Sequence, residues 1–125
     1  MGKIKINKFT DLACWQKGHQ RVLDIYHTTN TFPKTETYTL VDQMRRAVIS
    51  ITSNIAEGFN RRSQKEKIQF YYIALGSLTE IQNQLIIAKD VSYIDTNKFQ
   101  LLTNNTVIIS KLINGLIKSI KQKTT

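Results

Sequence analysis

Residues 43–62 read QMRRAVISITSNIAEGFNRR, and two helical patterns are superposed in this stretch. Apolar side chains recur at steps of three and four residues, as on one face of an α-helix: Met44, Ala47, Val48, Ile51 and Ile55. Small polar and charged side chains recur with the same steps on another face: Arg46, Ser50, Ser53 and Glu57, with Asn54 beside them. A solvated face is more often rich in Lys and Glu. The polar face is therefore expected to contact another helix of the chain, another subunit or a ligand.

The same periodicity predicts three further helices, so that residues 1–125 form one domain. The four helices are expected at about residues 11–28, 37–58, 64–90 and 96–121. Pro33 separates the first two helices, and Ser63 followed by Glu66 is a capping box at the start of the third. Because the connections are short, the predicted fold class is all-α, an antiparallel up-down-up-down four-helix bundle.

Two glycines and one histidine have expected structural roles in these helices. Gly58 is predicted to end the second helix in a left-handed conformation. Gly76 lies in the middle of the third helix, where glycine is unfavourable, and the expected compensation is close approach of a neighbouring helix. His19 lies on the apolar stripe of the first helix and is expected to be a core or interface histidine rather than a ligand.

The fourth predicted helix has two apolar strips. The first, expected to face the core, contains Phe99, Leu102, Thr106, Ile109, Ile113, Leu116 and Ile120. The second contains Leu101, Ile108, Leu112 and Ile117. One antiparallel neighbour cannot cover both strips, so the second is expected to face another subunit in a closed oligomer.

Composition favours an anionic partner. The 18 Lys and Arg oppose nine Asp and Glu, which gives a formal net charge of +9 and makes nucleic acid the first candidate. The alternative is a basic protein without such a partner. Cys14 is the only cysteine, which excludes an intrachain disulfide, and two histidines give no zinc-ligand cluster. With no signal peptide and no apolar run long enough for a membrane span, the expected location is the cytoplasm.

Basic residues group around the second turn and along the fourth helix. The predicted nucleic-acid-binding residues are Arg61, Arg62, Lys65, Lys67, Lys118 and Lys121. Residues 61–67 are the densest group, and they place cationic side chains beside the free backbone N–H groups of a helix start, which suits phosphate. The alternative is a solvated turn with solubilising charge.

A structural polar stripe is predicted from Arg45, Arg46, Ser50, Asn54, Glu57 and Glu80. Arg46 and Glu57 are about 16 Å apart along one helix, so they cannot pair within it. Arg46, or Arg45, is therefore expected to pair with Glu80 of the third helix or with Glu57 of another subunit.

No catalytic constellation, cofactor motif or metal-ligand pattern is found in the sequence. Arg21 and His27 match the loose Arg-x(4–6)-His spacing of one family of helical ribonucleases. That spacing is short and common, and no second acid or base is evident near it. We therefore expect that the protein is not an enzyme.

Two longer motifs resemble a known family. They are Leu40-x-x-Gln43-x-Arg45-Arg46-Ala47-x-x-Ser50-Ile51-x-x-Asn54-Ile55-Ala56-Glu57-Gly58 and Ala74-Leu75-Gly76-Ser77-Leu78-x-Glu80. With residues 11–17 and Phe32-Pro33, they make the chain from about Phe9 to Ile120 similar to the 23S rRNA intervening-sequence protein family. Thr52 stands where that family often has proline, so a helix kink there is not expected.

The resemblance implies a four-helix bundle, whereas the family's molecular function is not settled. The related accessory variability protein of diversity-generating retroelements is a basic homopentamer that binds nucleic acid and a reverse transcriptase. By this resemblance the chain is expected to be a homo-oligomer, with five subunits as the first candidate.

Two functional hypotheses follow. The first is a non-enzymatic, oligomeric protein that binds RNA or DNA through a basic surface. The alternative is a structural adaptor that binds a protein partner, such as a reverse transcriptase, and uses its charge only for solubility.

Overall fold

The computed structural model describes residues 5–123 of the chain. It contains four α-helices: α1 (Ala13–Thr29), α2 (Asp42–Phe59), α3 (Gln64–Asp90) and α4 (Thr96–Lys123). Short helical turns precede α1 and α2, and the one that leads directly into α2, Thr37–Val41, is a π-helical turn. The prediction of an all-α four-helix bundle is confirmed, and the predicted bounds differ most at the start of α2.

Contacts at two levels show that α1 and α2 run antiparallel. Near the start of α2, the Arg45 side chain donates hydrogen bonds of 3.0 Å each to Thr29 and Asn30 at the end of α1. Farther along, Gly18 of α1 lies against Thr52 of α2, where an added Cβ would be 3.1 Å from the threonine methyl group. Arg45 therefore links the end of α1 to the start of α2 through hydrogen bonds.

The α2–α3 pair has the most extensive interface in the bundle. Ser50 and Ser77 share a hydrogen bond of 2.8 Å between their hydroxyl oxygens, and Asn54 donates to the Ser50 hydroxyl at 3.0 Å. Nearer the end of α2, Gly58 lies against the ring of Tyr71. For Ser50, the partner of the polar face is therefore another helix of the same chain, whereas Asn54 bonds to Ser50 within α2.

The α3–α4 pair is antiparallel as well. Gln82 donates to Thr106 at 2.9 Å, and Lys121 near the end of α4 donates to Tyr72 near the start of α3 at 2.8 Å. α4 also packs against α1 and closes the bundle. One end of the bundle therefore contains the α2–α3 turn (residues 60–63) with the start of α1 and the end of α4.

The helix starts follow the expected capping chemistry. The Ser63 hydroxyl accepts from the backbone N–H of Glu66 at 3.0 Å, and Asp95 accepts from the N–H of Lys98 at 2.7 Å. The predicted cap at Ser63 is confirmed, and Ser63 and Asp95 each fix where a long helix begins.

The apolar face of residues 43–62 lies in the centre of the core. Met44, Val48, Ile51 and Ile55 are all completely buried. Leu85 of α3 and Ile113 of α4 are likewise inaccessible. α2 therefore supplies the central layer against which the other helices pack.

The two strips of α4 are partly as predicted. Leu102, Ile109 and Ile120 are buried, whereas Leu101 and Ile108 are about half exposed. Ile117 was expected in the outer strip, and this is wrong, because it is buried. A straight helix with 3.6 residues per turn drifts by about 20° per heptad from a strict seven-residue repeat, which rotates later positions relative to the core.

The predicted roles of both glycines are wrong. Gly58 does not have a positive φ, and α2 continues through it to Phe59. Its lack of a side chain is required for packing, because a Cβ would lie 2.7 Å from Cε1 of Tyr71. At Gly76 a Cβ would meet nothing within 4 Å, so no helix approaches it closely.

Candidate nucleic-acid interface

Positive charge is concentrated at the bundle end that contains the α2–α3 turn, which we call the basic end. Its basic residues, taken over the connections and the outermost two helical turns, are Lys5, Lys8, Lys17, Arg61, Arg62, Lys65, Lys67, Lys118, Lys121 and Lys123. The acidic residues of the same region are Asp11, Glu57 and Glu66.

The opposite end, defined in the same way, is balanced. Its basic residues are Lys34, Arg45, Arg46, Lys89 and Lys98. Its acidic residues are Asp24, Glu36, Asp42, Asp90 and Asp95. The excess of cations is therefore a property of one surface, where like charges add to a local positive field.

Three of the predicted binding residues have side chains open to an external anion. Arg62, Lys65 and Lys118 are exposed, and none of them takes part in an ion pair among residues 5–123. Arg61 is more constrained, because its guanidinium lies 4.6 Å from the centre of the Phe70 ring and 3.8 Å from a Glu57 carboxylate oxygen. An exposed pair of that length is weak and does not neutralise the arginine.

Lys67 has a structural role. Its ammonium donates to the backbone carbonyls of Phe59 and, at 3.4 Å, of Gly58, and so caps the C-terminal end of α2. Partial burial lowers the pKa of Lys67 below its usual value. The predicted phosphate contact from this residue is therefore not part of the site we propose.

The start of α3 is less suited to phosphate than the sequence indicated. Ser63 already accepts from one of the N–H groups there, and Glu66 places a carboxylate in the first turn. Any attraction for an anion at this point must come from the side chains of Arg62 and Lys65.

Sequence reasoning missed Tyr72. Its hydroxyl accepts from Lys121 at 2.8 Å, and its ring lines two adjoining shallow depressions on the basic end. One available signal was the pair Tyr71-Tyr72, since adjacent residues of a helix face different directions and only one can lie in the apolar stripe.

The predicted ion pairs of the polar stripe differ from the observed ones. Arg46 pairs with Asp42 one turn earlier at 2.9 Å, and Glu80 accepts from Gln84 at 3.4 Å. The pairing of Arg46 with Glu80 is wrong, because an i,i+4 partner on the same exposed helix face is closer. Pairing with Glu57 of another subunit stays a prediction.

Arg21 and His27, the two residues of the ribonuclease-like spacing, line different cavities. Arg21 lines a small cavity inside the bundle, whereas His27 lies at the surface near the α3–α4 connection. His19 is exposed and stacks on Trp15 with ring centres 4.9 Å apart, so the expected core position is wrong and an interface position stays a prediction. Burial raises the pKa of the Cys14 thiol to about 11, which disfavours the thiolate.

Residues 5–123 contain neither a cluster of metal-ligating side chains nor a membrane-spanning helix. No group of three or more His, Cys, Asp or Glu side chains is placed to hold a metal ion. Within the same range, no helix combines the length and apolar character needed to cross a membrane.

The fold and this surface define a class, a small all-α bundle with one strongly basic end. Residues 10–115 match the family described as 23S rRNA-intervening sequence protein, and the chain belongs to that family. No curated protein matches the chain. The relation to the retroelement accessory protein stays a prediction.

A solved structure has the same fold. It is a protein with unknown function from the S23 ribosomal protein family of Bacteroides thetaiotaomicron, with a TM-score of 0.78 and 22% sequence identity. The match covers 85% of this chain and 99% of that one. At this identity the likeness supports the fold alone.

Proposed function

We propose that this protein is a non-enzymatic, cytoplasmic homo-oligomer that binds nucleic acid through its basic end. The observation on which this rests is the uneven charge, with a large excess of cations at one end of the bundle and balance at the other. Arg62, Lys65 and Lys118 supply the phosphate contacts, and Arg61 and Lys121 lie beside them.

Phosphate is a suitable ligand for this surface. Arg61 is held against the Phe70 ring, which limits its motion and leaves its N–H groups available to an anion with little entropy to lose. Lys65 of α3 and Lys118 of α4 add further positive charges to the same end of the bundle. Such contacts neutralise the phosphates of the nucleic acid and do not recognise base edges. Binding is therefore expected to tolerate many nucleotide sequences.

The first test is a salt titration of binding to labelled RNA and DNA strands. The logarithm of the affinity should fall linearly with the logarithm of the salt concentration, by about 0.7 per phosphate contact for a single strand. Absence of binding at low salt would contradict the proposal and favour the adaptor, for which the exposed Ile73 and Ile87 of α3 offer an apolar surface.

The oligomeric part of the proposal rests on α4. Leu101 and Ile108, seven residues apart on one face, are 56% and 48% exposed. Exposed apolar side chains also occur on α3, among them Ile73 and Ile87. Two unlike apolar surfaces suit a head-to-tail contact, which can close into a ring, and the resemblance makes five the first candidate for the subunit number.

Light scattering tests this assembly. A mass near the 14.4 kDa of one chain would contradict it, and a dimer or tetramer would contradict only the number five. Changing Leu101 and Ile108 together to Asp should give a folded, smaller species, because charge is then placed in the subunit contact. Val107→Asp is the control, since Val107 is similarly exposed on another side of α4 and should leave the mass unchanged.

A further inference from the structure

Tyr72 is an aromatic residue of the basic end whose side chain is not part of the hydrophobic core. Its neighbour Tyr71 is 1% exposed and packs inside the bundle, whereas Tyr72 is 48% exposed. A half-exposed tyrosine on a surface of lysines has apolar area available to a ligand.

The faces of the Tyr72 ring are not covered by its lysine partner. The ammonium of Lys121 is 2.8 Å from the Tyr72 hydroxyl oxygen and 5.4 Å from the ring centre. The longer distance is close to the sum of the hydrogen bond and the distance from ring centre to hydroxyl. The ammonium therefore lies beyond the hydroxyl, near the ring plane, and holds the ring by its edge.

Cations lie on both sides of this ring. One adjoining depression is lined by Lys65 and Ile68 with the ring, and the other by Lys118 and Lys121 with the ring. A strand that crosses from one depression to the other passes the ring while lysines on both sides contact its phosphates.

We infer that the basic end takes single-stranded nucleic acid and that a base stacks on Tyr72. This inference rests on the proposed function and narrows it. Bases in a duplex are already stacked on both faces, and only an unpaired base can present a face to an aromatic side chain at the protein surface. Stacking tolerates any base, which agrees with a site whose other groups are cations.

The test compares an ordinary single strand with an abasic strand of the same length and charge. For the ordinary strand, Tyr72→Ala should weaken binding by roughly 5- to 100-fold at constant salt. For the abasic strand the same substitution should change the affinity little, because no base is present to stack. The unsubstituted protein should bind the ordinary strand more tightly than a duplex that presents the same number of phosphates per site.

Two controls separate stacking from other effects. Tyr72→Phe keeps the ring and should retain most of the affinity, although it loses the hydrogen bond to Lys121. Tyr38→Ala removes a tyrosine that is 91% exposed at the opposite end and should leave binding unchanged.

The possible failures are distinguishable. Equal losses on the ordinary and the abasic strand, or no loss on either, would overturn the stacking inference and leave the proposed function intact. No binding of any strand by the unsubstituted protein at low salt would overturn both.

Discussion

Replacing Gly58 by alanine is expected to lower the free energy of unfolding by roughly 1–3 kcal/mol, the usual range for overpacking. A Cβ at this position would lie 2.7 Å from Cε1 of Tyr71 and 3.0 Å from Cβ of Phe70. Neither group moves away easily, because the Phe70 Cβ is fixed to the α3 backbone and the Tyr71 ring is buried. Alanine gains up to about 1 kcal/mol in helix propensity over glycine, which is too little to offset the clash.

Gly76→Ala is the matched control. The two glycines lie inside adjacent helices, but a Cβ at Gly76 meets nothing within 4 Å. Only the propensity gain applies there, so this variant should be more stable by about 0.5–1 kcal/mol. Urea denaturation measures both changes. Stabilisation by Gly58→Ala would show that α2 and α3 do not approach as closely as described.

Much of the fold could be predicted because its determinants are local. The 3.6-residue periodicity, the caps at Ser63 and Asp95, and Pro33 between the first two helices all act over a few residues. Periodicity along α2 also identified the buried face correctly. Short connections then left antiparallel packing as the simplest arrangement for consecutive helices.

Most of the wrong assignments concern residues whose structural roles are decided by contacts between helices. The sequence pattern did not show that Gly58, and not Gly76, lies against another helix, because both occur in similar helical surroundings. Arg46 pairs with Asp42 within its own helix, and the Lys67 ammonium donates hydrogen bonds to backbone carbonyls at the end of α2. The contacts of Gly58 and Lys67 depend on distances that arise only after the helices pack, whereas the Arg46–Asp42 pair is an i,i+4 contact within α2.

The candidate site could be predicted only in part, because its residues come together only when the helices pack. Arg62, Lys65 and Lys118 were identified from charge alone. Their convergence at one end of the bundle follows from the direction of each helix. Tyr72 was missed because its partner Lys121 is 49 residues away in the sequence.

The second large expected effect is a loss of nucleic-acid affinity when cations are removed from the basic end. Changing Arg62, Lys65 and Lys118 together to Gln should weaken binding to a single strand by about tenfold or more at low salt. The slope of log affinity against log salt should become shallower by about 2, since each lost phosphate contact removes about 0.7. Stability should change little, because these side chains have no ion-pair partners among residues 5–123.

A second triple variant gives the most direct test of a binding site at the basic end. Lys34, Arg46 and Lys98 changed to Gln remove the same total charge from the opposite end. This variant is expected to keep the salt slope of the unsubstituted protein, whereas the basic-end variant should have a shallower slope and a lower affinity. Equal losses in the two variants, measured side by side with one strand, would show that net charge alone attracts the nucleic acid and would contradict a site at the basic end.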